Sequence, residues 1–193
     1  MCYRHRYAAG RALNPRPRDR LGRPLPIGSV GVPRIPDDLN LPPQQTLTFA
    51  QQLLNDGLAF NAHEVLEAAW KNGPFAEKML WQGLAQYAVG ITHIQRGNPK
   101  GARTLLTRAI GRLESHQRGN SSADSPAADR SPGDAERITA GPPEDAPATD
   151  LPHGIDGPGI IAHARRLLAA LERGEPLTDA DLVTALRRTP PLP

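Results

Sequence analysis

Residues 60–74 read FNAHEVLEAAWKNGP, and the fold class follows from how this stretch starts and stops. Asn61 stands where a helix N-cap belongs, and Glu64 stands three residues on, where a capping-box acid belongs. Phe60 and Val65 hold the positions of a hydrophobic staple. Such a cap contributes about 1 kcal/mol. Asn72-Gly73-Pro74 is a stop signal, so the spacing predicts a helix over 61–71.

Working outward, further helices are predicted on both sides. Leu41-Pro42-Pro43 opens one over 44–56, with Leu47, Ala50, Leu53 and Leu54 on one stripe and Gly57 as C-cap. Residues 75–96 form the longest, with Leu80, Leu84, Tyr87, Ile91 and Ile94 on its apolar face. Gly83 and Gly90, seven residues apart, fall near one face of it. Facing water, each would cost about 1 kcal/mol against alanine, so their use is close approach by a neighbouring helix. Gly97 ends this helix and Asn98-Pro99 opens another to 115, burying Ala102, Leu105, Leu106, Ala109, Ile110 and Leu113. Two more are expected at 158–173 and 179–188, the second capped by Thr178 with Asp181 in the box position. No strand pattern is present. The expected fold is all-α, a compact helical bundle built from antiparallel helix hairpins.

The flanks differ in composition. Residues 1–36 are rich in Arg, Pro and Gly and read as a disordered basic arm, with Arg4, Arg6, Arg11, Arg16, Arg18, Arg20, Arg23 and Arg34 against a single Asp19. Residues 37–117 are the bundle core. Residues 118–154 read as a disordered acidic linker of Ser, Asp, Pro, Gly and Ala. Residues 155–193 hold the C-terminal helices, expected to pack on the bundle. The formal charge of +3 thus conceals a basic arm and an acidic linker. A basic arm can seek phosphate, but no aromatic residues are interleaved with it as stacking partners, which argues against nucleic acid.

Cys2 is the one cysteine, which excludes an internal disulfide and a cysteine-based zinc site. The N-terminal arginines are followed by no apolar h-region, and no apolar run approaches the roughly 20 residues that cross a bilayer. The expected setting is cytoplasmic, without membrane association.

His63 and Glu67 are spaced i and i+4, so they meet on one helical face, and Trp70 continues it. An imidazole and a carboxylate one turn apart can chelate a metal or hold one another in a defined protonation state. The sequence His-Glu-Val-Leu-Glu lacks the second histidine of the zincin motif. Further ligands are expected from the long helix, where Gln82, Gln86 and His93 make a polar stripe. An antiparallel hairpin would turn that stripe toward His63 and Glu67 and wall the pocket with Trp70, Trp81 or Tyr87. The structural alternatives are a surface pair worth about 0.3 kcal/mol, or a buried pair that sets the hairpin register. His5, His116, His153 and His163 have no partner at useful spacing.

The run from Phe60 to Trp70 resembles the HxxxExxW signature of the domain of unknown function family 309. Trp81-Gln82-Gly83-Leu84-Ala85-Gln86, His93 and Arg96-Gly97-Asn98 are similar to that family's second block. The resemblance covers about residues 33–113 and, more weakly, 154–171. It implies a small bacterial or archaeal helical protein of unassigned function, with a divalent metal suggested at the His and Glu, here His63 and Glu67. Many relatives carry histidine where this chain has Asn61, a departure that removes one candidate ligand. A looser resemblance places Gly90, Gly97, Ala102, Leu106 and Ala109 near the small and apolar positions of a single tetratricopeptide unit. Two functions are therefore expected as alternatives. One is a metal or small-ligand site at His63, Glu67 and Trp70 with hydrolysis as its chemistry, served by Gln82, Gln86 and His93. The other is a non-catalytic module that binds a protein partner or a second copy of the chain, with His63 and Glu67 structural.

Overall fold

A computed structural model describes residues 16–123 and 151–188. Within them the chain forms five helices: α1 Pro43–Asn55, α2 Ala59–Asn72, α3 Lys78–Gln95, α4 Pro99–Ala123 and α5 Gly157–Arg173. Helices next to each other in sequence pack against each other. Among the described residues there are isolated β-bridges but no strand, and the fold is all-α as expected.

Both early hairpins turn on Schellman caps. After α1, Gly57 at φ 71° donates to Leu54 O at 3.0 Å while Leu58 donates to Leu53 O at 2.8 Å. After α3, Gly97 at φ 67° donates to Ile94 O and Asn98 to His93 O, both at 2.9 Å. Asn98 then caps α4, its Oδ1 accepting from Gly101 N at 3.0 Å.

The long central helix is shorter than the spacing predicts. Residues 75–77 make a separate 3-10 turn, and α3 itself begins at Lys78. Leu80, Trp81, Leu84, Tyr87, Ala88 and Ile91 are all buried, so α3 has neighbours around most of its circumference. Its glycines face α4: a Cβ on Gly83 would stand 3.1 Å from Leu113 Cδ2, and one on Gly90 only 2.7 Å from Leu106 Cδ2. The pairing of rising with falling residue numbers makes α3 and α4 antiparallel.

Four boundary expectations are corrected. The second helix starts at Ala59, not Asn61; Asn61 lies inside the first turn, buried, and donates from Nδ2 to Pro33 O at 3.1 Å. Glu64 therefore takes no part in a capping box, and Leu58 is the N-cap without a side-chain bond. The fourth helix continues to Ala123, past the expected start of the linker. The sixth helix is reduced to a 3-10 turn, Asp179–Leu182. Its predicted capping box of Thr178 and Asp181 does form. Beyond it the backbone finds better partners elsewhere, because Gln51 accepts from Leu186 N at 2.7 Å and donates to Thr184 O at 3.1 Å. Asp156 N adds a bond to Leu186 O at 3.0 Å.

Residues 1–15 of the expected arm and 124–150 of the expected linker lie outside the described residues. Residues 16–36 lie against the bundle, with Ile35 buried in its core and Arg96, the C-cap of α3, bonded through Nε and Nη2 to Leu21 O. The C-terminal segment meets α4 through an Arg165–Glu114 ion pair at 2.5 Å and an Arg103 bond to Leu171 O at 2.7 Å. No helix among the described residues is long and apolar enough to cross a membrane.

The two kinds of helical glycine make opposite predictions. Gly90→Ala forces a methyl against the buried Leu106 and is expected to destabilise the fold by about 1–3 kcal/mol. Gly111→Ala, where a Cβ meets nothing within 4 Å, is expected to stabilise it by up to about 1 kcal/mol. Urea-denaturation midpoints of the two variants check both signs.

Candidate functional site

The helical turn that joins His63 to Glu67 places them side by side near the start of α2. His63 Nδ1 stands 3.8 Å from Glu67 Oε2, which is beyond hydrogen-bonding range. That nitrogen is buried and has no hydrogen-bond partner among the described residues. The Glu67 carboxylate is engaged on its other oxygen by Lys71 Nζ at 2.8 Å. Burial holds the His63 imidazole below its ordinary pKa; Glu67 pulls it up, while Lys71 and Arg96 push it further down. Burial thus favours the neutral imidazole, whose unused nitrogen stands near a carboxylate.

Residues 35–37 run alongside this face. With Glu64, Glu67 and Lys71 they line a cavity of about 110 Å³. Burial raises the Glu64 pKa, against the pull of Arg18 and Arg34. At the start of α2, Phe60 sits 6.1 Å from the His63 ring, centroid to centroid. The Arg18 and Arg96 guanidiniums lie 5.3 and 5.6 Å from the Phe60 centroid.

The polar stripe of α3 does not join this group. Gln86 Oε1 accepts from Arg112 Nε on α4 at 3.0 Å. His93 Nδ1 accepts from the Asn98 amide at 3.1 Å, beside Gly101 of α4. Gln82 is half-buried on the same stripe. Trp70 is half-buried against the core, and its carbonyl accepts from Lys78 Nζ at 2.6 Å. The structure thus brings His63 and Glu67 together but turns Gln86 and His93 toward α4. Among the described residues, no group of three or more His, Cys, Asp or Glu side chains is placed to hold a metal ion.

Two histidines to which spacing assigns no partner have specific ones. His163 is buried on α5; its Nε2 donates to Asp181 O at 2.8 Å, so its Nδ1 accepts the Tyr87 hydroxyl at 2.6 Å. Burial lowers the His163 pKa, and burial raises that of Tyr87. The sequence held one signal for this, since His163 falls among Ile160, Ala164 and Leu167 on the apolar face of its helix. His153, at φ 63°, stacks on Trp81 with centroids 5.9 Å apart and puts Nε2 3.0 Å from Glu77 Oε1. Trp81 Nε1 donates to the other Glu77 oxygen at 2.9 Å. Burial raises the Glu77 pKa, but the bonds from Trp81 and His153 outweigh it and hold the carboxyl below its ordinary range. No spacing rule links positions 77 and 153, because they lie 76 residues apart in the chain.

Fold and site together define a small sequential helical bundle with a paired His and Glu on its second helix. Residues 47–105 match the family model described as Domain of unknown function (DUF309), in agreement with the resemblance of the HxxxExxW run. The chain is also similar to "Uncharacterized protein YpuF" of Bacillus subtilis (strain 168), 38% identical over 60 residues. That alignment covers 31% of this chain and 34% of the relative, so the chain spans about a third of its length. No solved structure matches.

The histidines set a pH dependence. His63, His93, His116 and His163 all have folded-state values lowered by burial. The unfolded chain then binds more protons than the folded one, so the stability they support is complete above an unfolded pKa of about 6.5 and is lost as pH falls below it. Urea midpoints measured from pH 7.5 down to 5 should decline. His163→Ala should lower the unfolding free energy at pH 7.5 by about 3 kcal/mol, through its cavity and the orphaned Tyr87 hydroxyl, and should make the decline of the midpoint with pH shallower.

Proposed function

We propose that the chain is a non-catalytic helical interaction module in which His63 and Glu67 are structural parts of the junction between α2 and residues 16–36. The observation that carries this reading is the direction of the α3 stripe: Gln86 and His93 are committed to Arg112 and Asn98, not to His63. The charge around the pair agrees with it. Lys71 holds Glu67 and Arg96 acts on His63, and two cationic side chains oppose a metal cation there. The α3–α4 hairpin also has the small-residue packing of a tetratricopeptide-like unit, with Gly90 against Leu106 and with Ala102 and Ala109 buried.

One observation favours a second reading, a metal or small-ligand site at His63, Glu67 and Trp70 that supports hydrolysis. The unpartnered His63 nitrogen stands 3.8 Å from Glu67, which itself lines a cavity of about 110 Å³.

Zinc and manganese titrated calorimetrically into the untagged full chain separate the two. The module reading expects no saturable binding, and expects His63→Ala with Glu67→Ala to lower the thermal midpoint. Saturable one-to-one metal binding that the double variant abolishes would establish the second reading and overturn the first.

A further inference from the structure

Residues 18–23, Arg-Asp-Arg-Leu-Gly-Arg, fold into a turn over the start of α2 and the end of α3. Asp19 Oδ1 closes the turn by accepting from Leu21 N at 2.9 Å and Arg23 N at 2.7 Å. Arg18 donates from Nη1 to Gly22 O at 2.7 Å, and Arg96 donates through Nε to Leu21 O at 2.7 Å. Gly22 rests on the Phe60 ring so closely that a Cβ there would stand 2.2 Å from Cγ. Backbone carbonyls and an aromatic ring therefore fix two guanidiniums, each with N–H donors left over from its five.

The charge of this group is offset only in part, by Asp19 acting on Arg96 and by Glu64, on which Arg18 acts. Among the described residues, the ion pairs of the chain leave out Arg18, Arg20, Arg23 and Arg96. The one acid in the turn, Asp19, binds two backbone N–H groups through Oδ1 and sets one negative charge against the four arginines. Burial first, and then the charges of Arg23 and Arg18, hold the Arg96 guanidinium below its ordinary value, against the pull of Asp19. Holding like charges together in a half-buried setting is unfavourable unless a counter-charge offsets them.

We propose that this turn is an oxyanion site that takes a phosphate group at the Arg18 and Arg96 guanidiniums, with the exposed Arg23 of the same turn to reach it from solvent. Planar guanidinium forks match phosphate oxygens, and two of these are held in place before any anion arrives. The Phe60 ring offers no open platform for a nucleobase, since Gly22 covers it and the arginines lie over it. The chemistry is that of inorganic phosphate or of a small phosphate monoester. It stands apart from the reading of His63 and Glu67 as structural.

The test is thermal melting of the full chain with inorganic phosphate, at ionic strength held constant with sodium chloride, repeated with glycerol phosphate. A saturable rise in Tm is expected. Arg23→Gln, which keeps the backbone bonds of the turn, should weaken the apparent affinity about tenfold or more. Tighter binding of the monoester would identify a phosphorylated small molecule as the source of the group; equal binding would identify the phosphate alone. The proposal fails if neither anion gives a saturable shift, or if Arg23→Gln responds as the unaltered chain does.

Discussion

A helix surrounded by others must make room for its neighbours and find partners for its polar atoms, and α3 meets both demands in ways that organise the chain around it. Gly83 and Gly90 remove side-chain bulk where α4 crosses, and Leu113 and Leu106 fill the space so freed. The hydroxyl of the fully buried Tyr87 cannot reach water, and a buried hydroxyl without a partner costs about 1–3 kcal/mol. His163 of α5 supplies that partner. The docking of the C-terminal segment is thus tied to one polar atom at the centre of the bundle, with His153 on Trp81 and Gln51 on residues 184–186 as further ties at its edge.

The start of α2 shows the same economy applied to residues 16–36. Asn61 is freed from capping because the helix begins two residues earlier, and its amide instead satisfies the Pro33 carbonyl, which a proline-rich segment cannot pair within itself. Phe60 is likewise no staple on its own helix but the floor on which Gly22, Arg18 and Arg96 meet. The result is a helix start covered by cationic side chains, while for His63 itself burial outweighs the pull of Glu67, with Lys71 and Arg96 adding to the effect of burial. An i, i+4 pair that in isolation suggests metal chelation sits here with Lys71 on its carboxylate and Arg96 acting on its imidazole.

Legibility in the sequence followed the range of each interaction. The pairing of His63 with Glu67 was readable because one helical turn sets it. The grouping of Gln82, Gln86 and His93 was readable for the same reason. Which neighbour that stripe faces was not, because periodicity says which residues share a face and nothing about the helix that meets it. The partners of His153 and His163 lie 76 residues away at Glu77 and Tyr87, a separation no local pattern spans.

The sequence by itself determined the helices and most of their ends, since caps, glycine stops and apolar periodicity act within a few residues. It determined too that α3 and α4 approach closely, because glycines spaced by seven allow little else. Tertiary structure alone decided the fate of 179–188, where a well-capped start gave way to backbone bonds with Gln51 and Asp156, and the covering of α2 by an arginine-rich turn. In both cases the deciding partner was a carbonyl, an amide or a ring from a distant part of the chain, present only once the helices had packed.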